Sequence, residues 1–249
     1  MPKIRISAIS YLNSLPFAWC LEHSNIMDEI ELSYDIPSQC ADKLLTGRAD
    51  IGLIPIVETL RMPEHYIVSD LCIGAENAVQ TVVLASNAPV SDISTVYLDN
   101  HSRTSVILAK ILAEKYWHIN PQWIHFHDNI NSRPHDDKSA AVVIGDKAFG
   151  LQSPYIYDLA TEWKKFTGLP FVFACWVAGK PIDEGFVRRF NDAMKPVLTD
   201  MEAITAYYKD IAPAGVDLRD YWTNYISYPL TADKRKGLDL FLQYAATIL

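Results

Sequence analysis

Hydrogen-bonding side chains cluster just before a helical pattern in the stretch LDNHSRTSV at residues 98–106. An apolar run, residues 95–98, ends there in a polar turn, and Val106, Ile107, Ile111 and Leu112 follow at amphipathic-helix spacing. Ser102, Arg103, Thr104 and Ser105 therefore fall in the first turn of that helix. Backbone N–H groups, hydroxyls and one guanidinium converge on such a turn, the donor set that a carboxylate or phosphate requires. An ordinary N-cap, with Ser102 satisfying the backbone and Arg103 solvated, accounts for the same residues.

Other candidate residues sit where strands end or are interrupted. Ser10, Tyr11 and Asn13 follow a first strand at residues 3–9, with Pro16 near a helix start. Ile54 and Pro55 close a strand in RADIGLIPI, and Gly145 and Asp146 follow a buried strand at residues 140–144. Gln80 and Thr81 interrupt an apolar strand at residues 79–85; they either face solvent or lend an amide and a hydroxyl to a cleft. Open parallel sheets bind ligands beyond the carboxyl ends of their strands, so three such ends, residues 10–13, 54–55 and 99–105, point to one place. Asp99 and Asp146 are candidate bases there, or carboxylates that cap turns.

The elements that hold these clusters alternate between strand and helix, which marks an α/β protein. Strands are expected at residues 3–9, 31–36, 66–73, 79–85, 95–98, 123–126 and 140–144, and in the run LPFVFACWV. Helices are expected at residues 102–117 and 157–167, and repeatedly after Asp183, with a polar loop at residues 128–138. The Asn-Ala-Pro punctuation at residues 87–89 marks a crossing between lobes, and the run ending at Trp176 a return crossing. Two lobes follow, one from residues 1–88 and 177–249 and the other from residues 89–176, hinged at the two crossings.

Composition excludes several classes. A net charge of −8 without a Lys/Arg run disfavours nucleic-acid binding. Cys20, Cys40, Cys72 and Cys175 are scattered with no Cys-x-x-Cys pair, and read as reduced core residues. No signal-peptide pattern or bilayer-spanning segment is visible, so a cytoplasmic protein without a membrane partner is expected. His125, His127 and His135 lie near one another, but no Cys, Glu or Asp spacing completes a metal-ligand set. With no G-x-G-x-x-G or Walker pattern among only 10 glycines, neither a metal nor another cofactor is expected.

Taken together, SYLNSLPF (10–17), GRADIGLIPIVE (47–58), LDNHSRTSV (98–106), VIGDKAF (143–149) and DLATEWKKFTGLPFVFACW (158–176) resemble the chorismate dehydratase family of the futalosine route to menaquinone. The motifs span most of the chain. The resemblance implies a periplasmic-binding-protein type II fold with a central cleft, and loss of water from chorismate to give 3-(1-carboxyvinyloxy)benzoate. Tyr11, Asn13 and Pro16 favour this family over its sister, 1,4-dihydroxy-6-naphthoate synthase. His101 and Thr81 stand where family members commonly have serine.

Chorismate would be the small-molecule partner, with homodimerisation left open. It is a dianion, for which residues 102–105 are the expected docking point of one carboxylate. Ser10, Tyr11, Ile54, Pro55 and Thr81 are expected around it, with Gly145 and Asp146 on the opposite lobe. An Arg103 contact to a carboxylate would contribute about 1.5–3 kcal/mol. No motif holds an obvious His or Glu base, so the substrate's enolpyruvyl carboxylate is expected to take the ring proton. Asn13 is then the catalytic residue that orients that carboxylate or the departing hydroxyl. A non-catalytic solute-binding or sensor protein for a carboxylated ligand is the alternative on the same fold.

Overall fold

The apolar runs pair into two mixed sheets in a computed structural model that describes residues 3–99, 103–126 and 136–249. The chain opens with β1 (Ile4–Ile9), α1 (Leu15–Glu22), β2 (Ile30–Asp35), α2 (Pro37–Leu45), β3 (Ile51–Pro55) and β4 (Tyr66–Ala75). It continues through β5 (Val82–Ser86), β6 (Thr95–Asp99), α3 (Arg103–Leu112), β7 (Gln122–Phe126), β8 (Ser139–Ile144), β9 (Tyr155–Asp158) and α4 (Leu159–Thr167). The remainder comprises β10 (Phe171–Ala178), α5 (Glu184–Met194), α6 (Met201–Tyr207), the single turn α7 (Leu218–Asp220), β11 (Ser227–Pro229) and α8 (Ala232–Ile248).

The first sheet has the order β11-β4-β10-β3-β1-β2 and the second β7-β6-β8-β5-β9. β1 runs parallel to β2 and β3, and β6 parallel to β7 and β8; β10 and β5 enter their sheets antiparallel to both neighbours. Every residue of β3, β5, β8 and β10 is buried, because these inner strands are covered on both faces. That is why they read as continuous apolar runs rather than alternating ones. All four cysteines are buried free thiols within this core.

Sheet membership moves the crossings earlier than the expected lobe limits. β5 already belongs to the second sheet, so the chain leaves the first sheet at residues 76–81. The Asn-Ala-Pro segment is instead a turn between β5 and β6, inside the second lobe. The run LPFVFACWV is no crossing either: β10 pairs with β3 and β4 along its length, so the return lies at residues 159–170. A strand buried on both faces and a strand that passes between lobes look alike in sequence; the pairing partners decide between them.

Asp158 anchors both crossings. Its carboxylate accepts hydrogen bonds from Val79 N (2.9 Å) and Gln80 N (2.7 Å) on the outward segment. It also caps α4 through Ala160 N (3.1 Å) and Thr161 N (3.0 Å). Gln80 takes a left-handed φ of 64°, which turns both N–H groups toward one acceptor. Asp158→Ala is therefore expected to lower stability by about 2–3 kcal/mol, one cap plus one anchored turn. A urea titration reads this as a lower midpoint at unchanged slope; an unmoved midpoint would show that the crossing holds without this carboxylate.

Two helices differ from expectation at their ends. α3 stops at Leu112 and continues as a π-turn over Ala113–Trp117, closed by His118 in a left-handed conformation (φ 54°). The expected helix at residues 157–167 begins two residues late, because Tyr157 and Asp158 complete β9 beside β5. The expected loop at residues 128–138 falls mostly outside the described residues, as do His127 and His135.

Candidate functional site

The site lies between the two sheets, where β1, β3 and β8 all end. After β1 the chain makes a 3-10 turn over Leu12–Ser14. Ser14 knots this turn by donating its hydroxyl to the carbonyls of Ile9 (2.5 Å) and Tyr11 (2.9 Å). Tyr11 and Asn13 are thereby turned into the cleft. Pro55, at the end of β3, forms part of the same wall. Ser105, in the first turn of α3, and Gly145, after β8, line the cleft from the second lobe.

Gly145 explains itself by its conformation and its neighbour. Its φ is +65°, and a Cβ there would lie 3.0 Å from Cδ2 of Tyr11. Only glycine lets the two lobes close to this distance without strain. Its N–H donates to the carbonyl of Thr81 at 2.8 Å, fixing the end of β8 beside the outward crossing.

The remaining expected site residues that the structure describes do not line the cleft. The Arg103 guanidinium is engaged by Glu58 (2.9 Å) and Asp42 (3.3 Å), both on the first lobe. It bridges the lips of the cleft, and its charge is already matched by two carboxylates; Glu58 is only 2% exposed. Thr104 accepts a hydrogen bond from Val57 N at 3.3 Å, a second bridge between the lobes. Asp146 accepts one from Leu12 N at 3.2 Å on the opposite lip, and burial raises its pKa above the ordinary carboxylate value. Thr81 is buried, with its hydroxyl 2.8 Å from that of Tyr221. Ile54 sits in the core opposite Cys175, and Ser10 is exposed at the end of β1. Ser102 lies outside the described residues, and so does the side chain of Asp99.

What remains is a cleft with apolar walls and no charged side chain among its described lining residues. Ile73, Val79 and Phe173 supply much of the wall, and no polar signal in the sequence singled them out. Tyr11, Asn13 and Ser105 are its polar members, and of these Asn13 carries an Oδ1 that is buried without a hydrogen-bond partner among the described residues. An unpaired buried acceptor is costly, about 1–3 kcal/mol, and calls for a donor brought by something that binds. The cleft, open to solvent, offers a volume of about 40 Å³. That is room for about three waters, so an organic dianion enters only if the lobes part.

The sequence reading also passed over residues that hold the Asn13 turn from a distance. Trp222 Nε1 donates to the carbonyl of Leu12 (2.8 Å) and the Tyr228 hydroxyl to that of Asn13 (3.1 Å). Both partners lie more than 200 positions away along the chain, so no local pattern reveals the pairing. No group of three or more His, Cys, Asp or Glu side chains placed to hold a metal occurs among the described residues.

Comparison with known proteins adds the following. A family model described as menaquinone biosynthesis matches residues 4–247. A chorismate dehydratase of Campylobacter jejuni is 31% identical over 174 residues, covering 67% of this chain and 63% of that protein, less than two thirds of its length. A chorismate dehydratase of Thermus thermophilus is 23% identical over 256 residues, covering 94% of this chain and 92% of that protein. Among solved structures, a protein of Archaeoglobus fulgidus superposes with a TM-score of 0.76 at 14% identity, covering 99% of this chain and 97% of that one. The periplasmic aliphatic sulphonate binding protein of Escherichia coli superposes with a TM-score of 0.60 at 16% identity, covering 100% and 87%. These last two likenesses show the fold, that of periplasmic binding proteins.

Proposed function

Because the chain belongs to the menaquinone biosynthesis family, we propose that it is a chorismate dehydratase, a hydro-lyase that converts chorismate to 3-(1-carboxyvinyloxy)benzoate and water. The observation that carries the reading is the unpaired Asn13 oxygen in a cleft without charged walls. The hydrogen on the ring carbon that bears the enolpyruvyl ether is vinylogous to the ring carboxylate. Its removal gives an extended enolate, and loss of the neighbouring hydroxyl then yields an aromatic ring. Aromatisation drives the reaction, so the protein's task is orientation and charge placement.

The cleft suits a substrate that serves as its own base. An arginine paired with the enolpyruvyl carboxylate would lower its proton affinity, whereas apolar surroundings raise it. Arg103 is held away by Glu58 and Asp42, and Asp146 is turned to Leu12 N. The enolpyruvyl carboxylate takes the ring proton and passes it to the departing hydroxyl, which leaves as water. Asn13 Oδ1 accepts the hydrogen bond of that hydroxyl and holds it in line. The first turn of α3, with Ser105, receives a carboxylate through neutral donors and the helix dipole. Ser102 belongs to the same expected docking point. Arg103, Thr104 and Asp146 act on the lips, closing the cleft and expelling water.

Among the described residues no helix is long and apolar enough to cross a membrane, and we place the reaction in the cytoplasm. The likeness to ligand-binding proteins favours a second reading, a sensor that closes on a carboxylated ligand without chemistry. Incubating the purified protein with chorismate separates the two. Loss of the diene absorbance with formation of the aromatic product supports the dehydratase; saturable binding with no product supports the sensor. Turnover of chorismate also sets aside the sister synthase.

A further inference from the structure

Asn13 is placed by its backbone, since its side-chain oxygen has no tether of its own among the described residues. Two successive carbonyls of that turn are held by residues 222–228. Trp222, 1% exposed in the π-turn Tyr221–Tyr225, bonds the Leu12 carbonyl; Tyr228, 3% exposed, bonds that of Asn13. Burial raises the pKa of the Tyr228 phenol well above its ordinary value, so it stays protonated as the donor.

Tyr228 is itself fixed from both sides. Its ring meets Phe17 edge to face at 5.1 Å. The carbonyls of its neighbours Ser227 and Pro229 both accept from Lys234 Nζ at 2.7 Å, with the Ser227 hydroxyl at 2.6 Å. Lys234 is fully buried, an expensive location for an ammonium. Its three oxygen partners converge on the strand that carries Tyr228, and Glu76 stands 3.5 Å away. The chain of contacts runs from a caged cation through β11 to the carbonyl of Asn13, whose Oδ1 is the cleft oxygen buried without a partner among the described residues.

We propose that Tyr228, held by the Lys234 cage and seconded by Trp222, is the positioning residue that aims Asn13 at the eliminating centre. The role rests on the dehydratase reading above. It differs from fold maintenance in acting on one side chain's direction, and misplacement of a reacting group by about 1 Å costs up to about 10²-fold in rate.

The test compares Tyr228→Phe, Asn13→Ala and the double variant in the full chain, with two readouts. For chorismate turnover, Tyr228→Phe is expected to lower kcat about tenfold with KM changed less than about twofold. The double variant should then be no slower than Asn13→Ala alone. Unchanged kcat, or losses that multiply in the double variant, would overturn the proposal. The second readout is the Asn13 side-chain amide in a nitrogen-15 spectrum, identified by its loss in Asn13→Ala. It should shift and broaden in Tyr228→Phe, and an unmoved signal overturns the proposal whatever the chemistry. A wild-type protein inert to chorismate would instead remove the dehydratase reading, and the amide signal would still decide the positioning. If Tyr228→Phe does not fold, Trp222→Phe removes the Leu12 anchor and is read the same way.

Discussion

In Asn13→Ala, turnover of chorismate is expected to fall by about 10²–10³-fold, while resistance to urea is expected to hold or rise. The two halves of this result have one cause. Oδ1 of Asn13 is buried with no partner among the described residues, so the folded protein carries its desolvation cost without return. Alanine removes that acceptor, which is worth up to about 1–3 kcal/mol of stability. The same deletion removes the group proposed to hold the departing hydroxyl. Destabilised groups of this kind mark functional sites, where stability is sacrificed for activity. A loss of activity accompanied by a loss of stability would identify Asn13 as a structural residue.

The second large effect is expected at Gly145. Alanine there meets two obstacles: a φ of +65° and a Cβ only 3.0 Å from the Tyr11 ring. The backbone term costs about 1–2 kcal/mol and is the same for any left-handed glycine. The contact is particular to the cleft, because Tyr11 shares its turn with Asn13. Its ring must move, or the lobes must stay apart, and kcat/KM is expected to fall more than about tenfold. Gly150→Ala is the control: its φ is +69°, but a Cβ there has nothing within 4 Å. It should lose stability by the backbone term alone and keep its turnover. Equal effects of the two substitutions on kcat/KM would show that the Tyr11 contact is irrelevant.

Several positions were legible in the sequence because their signals are local. Strand ends announce themselves by the switch from apolar to polar residues, and Tyr11, Asn13, Pro55, Ser105 and Gly145 do line one cleft. What was not legible depends on partners far along the chain. Arg103 reads as an anion ligand until Glu58 and Asp42 are seen beside it. Thr81 reads as facing either solvent or the cleft until Tyr221 is found against its buried hydroxyl. The lobe crossings were displaced for the same reason, since β10 and β5 are assigned by pairing rather than by composition. Lys234 lies on the polar, charged opening of α8 and gives no sign in sequence that it is fully buried.

An uncharged cleft is proposed to make the substrate its own base, with Asn13 directing the leaving group. A chorismate analogue esterified only at the enolpyruvyl carboxylate tests it most directly, in a single-turnover experiment at saturating protein. The account predicts an analogue that binds but eliminates water at least about 10²-fold more slowly than chorismate, the range lost when a general base is removed. Elimination at an undiminished rate once bound would contradict it and return the role of base to a side chain.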